Sequence, residues 1–311
     1  MPGTATYIVY KTSDTTYNVL RTSDDSNQVF STADAAIQTT LNLVDPTDRF
    51  SGGPGDVYIQ AGRYDLTDSF TGFVMQSYTN LRLDGAAQIR VPWNYTGAVF
   101  QMTCDDGANL AGVTNSMIDG GRLIQRAGPQ GQQPESNWTA FLLRGSTRNT
   151  LSGMQFNKIA NTEVRLAGVG VSIVVDEVLG YVNSNTFEFL RMMDCRSFVS
   201  FQMAQLPFTT GNPIFANRFT DLQCDCGTTV RTEIGIRNVA GQQNTFDFVK
   251  VWDIQNGVAA SGKANPLILQ ISSQAERTLI VGGILAGSEI PRTFIEDHGK
   301  CTTIVDSVCP P

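Results

Sequence analysis

The sequence predicts an all-β solenoid, a chain wound into stacked coils, and three observations carry that reading. Helical periodicity is nearly absent along the 311 residues. Short apolar runs follow one another, split by Gly, Asn and Asp, as strands separated by tight turns do. Four segments repeat one chemical pattern at irregular spacing, the signature of coils that bury an apolar row against their neighbours. Composition agrees. An apolar share of 41% suffices for a sizeable core, while charged residues are only 16%, against roughly 25% in an average domain.

The N-terminal elements come first. Thr6 to Tyr10 and Tyr17 to Thr22 alternate like strands around the polar turn Thr12 to Thr16. Thr32 to Val44 is the one good helix candidate, with Ser31, Thr32 or Asp34 as cap and Ile37, Leu41 and Val44 on one face. A breaker, Ser51 to Gly55, then leads into Val57 to Tyr64, a short strand, a tight turn at Gly62 and another strand. Short strands follow at Asn80 to Leu83, Gln88 to Val91, Ala98 to Met102, Ser116 to Ile118, Leu123 to Gln125 and Ala140 to Leu143.

The repeats begin at Asn149, Asn185, Asn217 and Asn244, with a weaker copy at Arg277, spaced by 36, 32, 27 and 33 residues. With each first residue counted as zero, position two holds Leu151, Phe187, Phe219, Phe246 and Leu279, and position five holds Met154, Leu190, Leu222 and Val249. Position seven holds Phe156, Met192, Cys224 and Val251. Position six, between two apolar columns, is polar: Gln155, Arg191, Gln223 and Lys250. Helical repeats would show a 3.6-residue period inside each unit, and these do not. The recurring Asn reads as a coil-corner residue whose side chain bonds from one coil to the next.

The block Ala35-Ala36-Ile37-Gln38 with Gly52 to Tyr64, together with the Asn-Thr-Phe coils, resembles the single-stranded right-handed parallel β-helix (pectate-lyase-like) superfamily. That resemblance implies a right-handed parallel β-helix, with residues 1–45 as hairpin and capping helix and 46–311 as coils ending in a C-terminal cap. It is similar to polysaccharide-degrading enzymes and phage tailspikes. It therefore implies an extracellular, virion or cell-surface location, a polysaccharide partner and, in a tailspike-like case, a trimer. It is poor for activity, since this fold hosts unrelated functions. The hydrolase set of Asn-x-Asp, Asp-Asp, Gly-His-Gly and Arg-x-Lys is not met. The chain has Asp24-Asp25 and Asp105-Asp106, and its one histidine lies in Asp297-His298-Gly299.

Site candidates follow from the columns. Position nine holds Lys158, Asp194, Cys226 and Asp253, beside the position-six row. Coils stack about 4.8 Å apart, so Arg191 and Lys250, and likewise Asp194 and Asp253, would stand about 10 Å apart. Two carboxylates at roughly 6.5–9.5 Å suit inverting hydrolysis, whereas a lyase needs a cation against a uronate and a base, roles for Arg191 or Lys250. The catalytic candidates are thus Asp194, Asp253, Arg191 and Lys250. The binding candidates are Gln155 and Gln223 with Trp138 and Trp252 as sugar platforms, Trp138 because it closes the polar loop Arg126 to Asn137. The alternative is a solvated face of paired charges. Because Cys224 and Cys226 share one side of a straight strand, position nine points outward only if the chain bends after position seven.

The same sequence narrows the partners. A net charge of −7 with scattered Arg argues against nucleic acid. The longest apolar stretches fall far short of the roughly 18 residues that span a bilayer. One histidine and six dispersed cysteines give neither zinc spacing nor a disulfide framework, though Cys301 and Cys309 could close a terminal loop. No cofactor is expected, and calcium is not indicated. The function expected is recognition of an acidic polysaccharide in a lateral groove, with lyase or hydrolase action as its enzymatic form. The alternative is a non-enzymatic structural or adhesive module, such as a receptor-binding spike or cell-surface component.

Overall fold

The computed structural model describes residues 5–44, 55–103, 113–132, 135–145, 152–155, 157–175, 180–203, 214–225, 232, 234–252, 267–281 and 295–305. Among the described residues the strands lie in a 17-stranded and an 11-stranded sheet, and the coil-to-coil pairings are parallel. The architecture is a parallel β-helix. Three consecutive coils show the logic. Thr186–Glu188 pairs with Arg218–Thr220, which pairs with Thr245–Asp247, and five residues on Arg191–Met193, Gln223–Asp225 and Lys250–Trp252 stack in the same order.

A straight strand turns every second side chain inward, yet here positions two, five, seven and ten are all buried. Phe187, Leu190, Met192 and Cys195 occupy them in one coil. Left-handed residues make this possible. Ser184 (φ 56°), Phe189 (φ 53°) and Asp194 (φ 52°) bend that coil before position zero and at positions four and nine. The bend at position nine is the one that the cysteine spacing required. The ladder residue itself is not left-handed; its predecessor is.

The Asn column is a buried hydrogen-bond ladder. The Asn185 backbone N–H donates to Asn217 Oδ1 at 3.1 Å, and the Asn217 N–H to Asn244 Oδ1 at 3.1 Å. Each carboxamide thus caps a backbone donor that the corner leaves without a strand partner. The ladder enters the preceding coil at Asn157, whose N–H donates to Asn185 Oδ1 at 3.1 Å. The first repeat therefore starts at Asn157, not at Asn149, and Ile159 and Val164 are its buried positions two and seven. The last repeat also shifts by one: Ile280 pairs with Phe246, so Thr278, not Arg277, stands at position zero.

Behind the ladder runs a column of stacked rings. Phe187 and Phe219 lie 4.6 Å apart at 7°, and Phe219 and Phe246 4.9 Å apart at 8°. At the N-terminal end, helix Ala33–Leu43 forms as expected, Thr32 Oγ1 accepting from the Ala35 N–H. Asp34 and Gln38 tie it to Thr67 and Val74. Strands Tyr7–Ser13 and Thr16–Arg21 form the expected hairpin, and a third strand, Asn27–Phe30, joins it. Tyr7–Ser13 also pairs in parallel with Gly55–Ile59, so the hairpin continues the coil sheet. Val9, Ile37 and Leu41 belong to the same apolar core as Val57 and Ile59.

Candidate functional site

Positions four and six flank the inward-facing position five, and position four is itself the left-handed corner. Position four holds Gly120, Asn161, Phe189, Asp221 and Phe248 in successive coils, all at positive φ. Position six is a row seven coils long. Strand pairing sets Arg63 beside Gln88, then Arg122, Glu163, Arg191, Gln223 and Lys250. Phe189 and Arg191 line a pocket of about 230 Å³ with Arg122, Asn161 and Glu163.

Two features of this face are costly to the fold. Phe189 and Phe248 are 52% and 53% exposed, although Phe is a core residue. Both are left-handed at φ 53°, a conformation rare for a bulky side chain and worth roughly 1–3 kcal/mol of strain. Asn161 and Asp221 occupy the same corner with a side chain suited to it. The two phenylalanines stand two coils apart, about 10 Å by strand spacing, each two residues before a cation.

The electrostatics are mixed. Lys250 Nζ bonds Asp221 at 3.3 Å, and Arg122 and Arg165 each reach Glu163 at 3.9 Å. Among the described residues, no carboxylate lies within ion-pair distance of exposed Arg191. The acidic partners are part-buried, so a polyanion must compete with Asp221 for Lys250 and with Glu163 for Arg122, and meets Arg191 without that competition.

Arg191, Gln223 and Lys250 therefore share one row, as the column alignment predicts. Gln155 does not. It pairs with Asn183 in the other sheet, because the first repeat is phased from Asn157, and Glu163 takes its place. Trp138 is corrected too. It is fully buried, its indole N–H donating to the Leu166 carbonyl at 2.8 Å, so it is a packing residue and not a surface platform. Asp194 sits on the corner three residues beyond Arg191. The backbone of Trp252 pairs with Asp225, and Asp253 lies outside the described residues, as do Cys226 and Cys309. His298 is exposed at the C-terminal end, 2.7 Å from Glu296. Sequence reasoning missed Phe189, Phe248, Arg122 and Glu163. The first two were visible at an outward column of correctly phased repeats.

No protein-family profile matches the chain, and no curated protein matches it in sequence. Among solved structures it is similar to the A-module of mannuronan C-5 epimerase AlgE4 from Azotobacter vinelandii, at 11% identity and a TM-score of 0.37, over 82% of this chain and 71% of that one. It is also similar to PfbA, a surface adhesin of Streptococcus pneumoniae, at 12% identity and a TM-score of 0.31, over 88% of both chains. Likeness this loose says nothing of activity. The parallel pairing of the coils itself carries the fold. Among the described residues no helix is long and apolar enough to cross a membrane, and no group of three His, Cys, Asp or Glu gathers to hold a metal.

Proposed function

We propose that the chain binds an acidic polysaccharide along this face, the polymer crossing the coils. One observation carries the reading: an exposed, strained phenylalanine beside a cation, repeated two coils on. Left-handed corners recur throughout the coils, so what marks this face is the bulky apolar ring left in solvent at such a corner. A sugar ring offers its C–H face to the phenyl ring, and a carboxylate pairs with Arg191 or Lys250 by charge-assisted hydrogen bonds. An extracellular or surface setting, where such polymers occur, belongs to the same proposal.

Affinity electrophoresis against acidic and neutral polysaccharides tests it. Acidic polymers should retard the protein, and Arg191→Ala and Lys250→Ala should each weaken the retardation. Unchanged binding in both variants removes the groove. Cleavage by Arg191 and Lys250 with Asp194 and Asp253 is the enzymatic form of the proposal, read as unsaturated products or new reducing ends. Silence on both readouts leaves a binding module of the adhesive kind.

A further inference from the structure

The position-six row has a period of two coils. Its cations, Arg63, Arg122, Arg191 and Lys250, stand in alternate coils, with Gln88, Glu163 and Gln223 between them. Over the last four coils of this row position four keeps the same period: Asn161, Phe189, Asp221, Phe248. A coil with an aromatic ring and a cation thus alternates with one that carries an amide and a carboxylate. Coil height, about 4.8 Å, is close to the length of one sugar in an extended chain, so the cation period matches two sugars.

We infer that the polymer read by this face carries one negative charge per disaccharide, an acidic sugar alternating with a neutral one. This rests on the binding reading above. A matched polymer sets each carboxylate against a cation and each neutral sugar against Gln88, Glu163 or Gln223, whose side chains can bond hydroxyl or acetamido groups. A uniform polyuronate would set its intervening carboxylates against Gln88, Glu163 and Gln223, and so bring one onto Glu163 and one beside Asp221. Such a contact is repulsive and leaves a charge without a partner.

The test is calorimetric titration of the whole protein with three probes at equal sugar concentration: hyaluronan, in which uronate alternates with a neutral amino sugar, polygalacturonate and dextran. Hyaluronan should bind about tenfold more tightly than polygalacturonate, the worth of roughly one like-charge contact avoided, and dextran should not bind. Gln223→Lys, which puts cations in three successive coils, should favour polygalacturonate and narrow the gap. Equal or tighter binding of polygalacturonate by the unaltered protein overturns the alternation while leaving acidic-glycan binding intact. Failure to bind either acidic probe overturns the binding reading itself.

Discussion

Asn217 serves both neighbouring coils from a fully buried position. Its Oδ1 accepts from the backbone N–H and the side chain of Asn185 in the preceding coil at 3.1 and 3.0 Å, while its Nδ2 donates to the Val182 carbonyl at 2.9 Å and to Asn244 Oδ1 in the following coil at 3.2 Å. Asn217→Ala strands these groups without water, at about 1–3 kcal/mol for each unmade bond. We expect a loss of about 3 kcal/mol, seen as a lower denaturant midpoint at unchanged slope. Phe189 predicts the opposite sign. Asn accepts the left-handed corner that Phe resists, so Phe189→Asn should hold or raise stability by up to about 1 kcal/mol while weakening glycan binding. A residue kept for packing would show a loss instead. Tyr95 reports on burial. It packs on Phe70 at 5.2 Å and donates to the Ala98 carbonyl, and burial pushes its hydroxyl up to about 12 from an ordinary 10.0. Because the folded value is the higher one, the stabilisation is intact below pH 10 and lost as pH rises from there through about 12. Melting curves across that range, followed with phenolate absorbance, should fall less steeply in Tyr95→Phe.

The coil is the element in which sequence and structure meet, and the corners decide what could be read. In the copies beginning at Asn185, Asn217 and Asn244 the Asn-first alignment is right, because the ladder Asn, the stacked Phe and position seven recur at fixed offsets. At Asn149-Thr150 the same dipeptide occurs by composition alone. The ladder is entered by Asn157, and that copy is hidden because Ile159 stands where the others have Phe and Thr162 where they have Leu or Val. The Arg277 copy slips by one because Thr278 replaces Asn, and a slip of one turns every side chain to the other face. The site was half legible. Arg191, Gln223 and Lys250 follow from the columns, whereas Phe189 and Phe248 were hidden by the habit of reading Phe as core. Their place at position four, beside a buried position five, is the signal that finds them. The Arg122 coil shows the corner in its simplest form. Gly120 lies at φ +86°, and a Cβ there would meet the Leu83 carbonyl oxygen at 2.2 Å. Gly120→Ala should therefore cost roughly 2 kcal/mol in chemical denaturation, whereas Ala at exposed Gly85, with open space around it, should be near neutral.

On the scale of the whole molecule, the low charge content has a structural cause and a kinetic consequence. Parallel coils set equivalent positions side by side, where like charges repel, so a solenoid disfavours charged columns. Row six resolves the conflict by alternation, placing Gln or Glu between its cations. The molecule as a whole still carries a net charge of −7. A polyanion approaching row six thus meets long-range repulsion and short-range attraction, and salt separates the two. At about 0.01 M the screening length is about 30 Å, so the remote carboxylates of the protein slow the encounter. Near 0.1 M it shrinks to about 10 Å, which hides the remote charge but leaves the bound carboxylates within reach of Arg191 and Lys250. Near 1 M it falls to about 3 Å, and the contacts themselves weaken. The association rate with an acidic polymer should accordingly rise and then fall with salt, peaking near 0.1 M, when followed by surface plasmon resonance at fixed pH. Arg191→Ala should lower the whole curve and keep its shape, since it removes attraction and leaves the remote repulsion in place. A rate that only falls from the lowest salt onward would mean that the face attracts from afar, and that the cations of row six outweigh the acidic remainder of the chain.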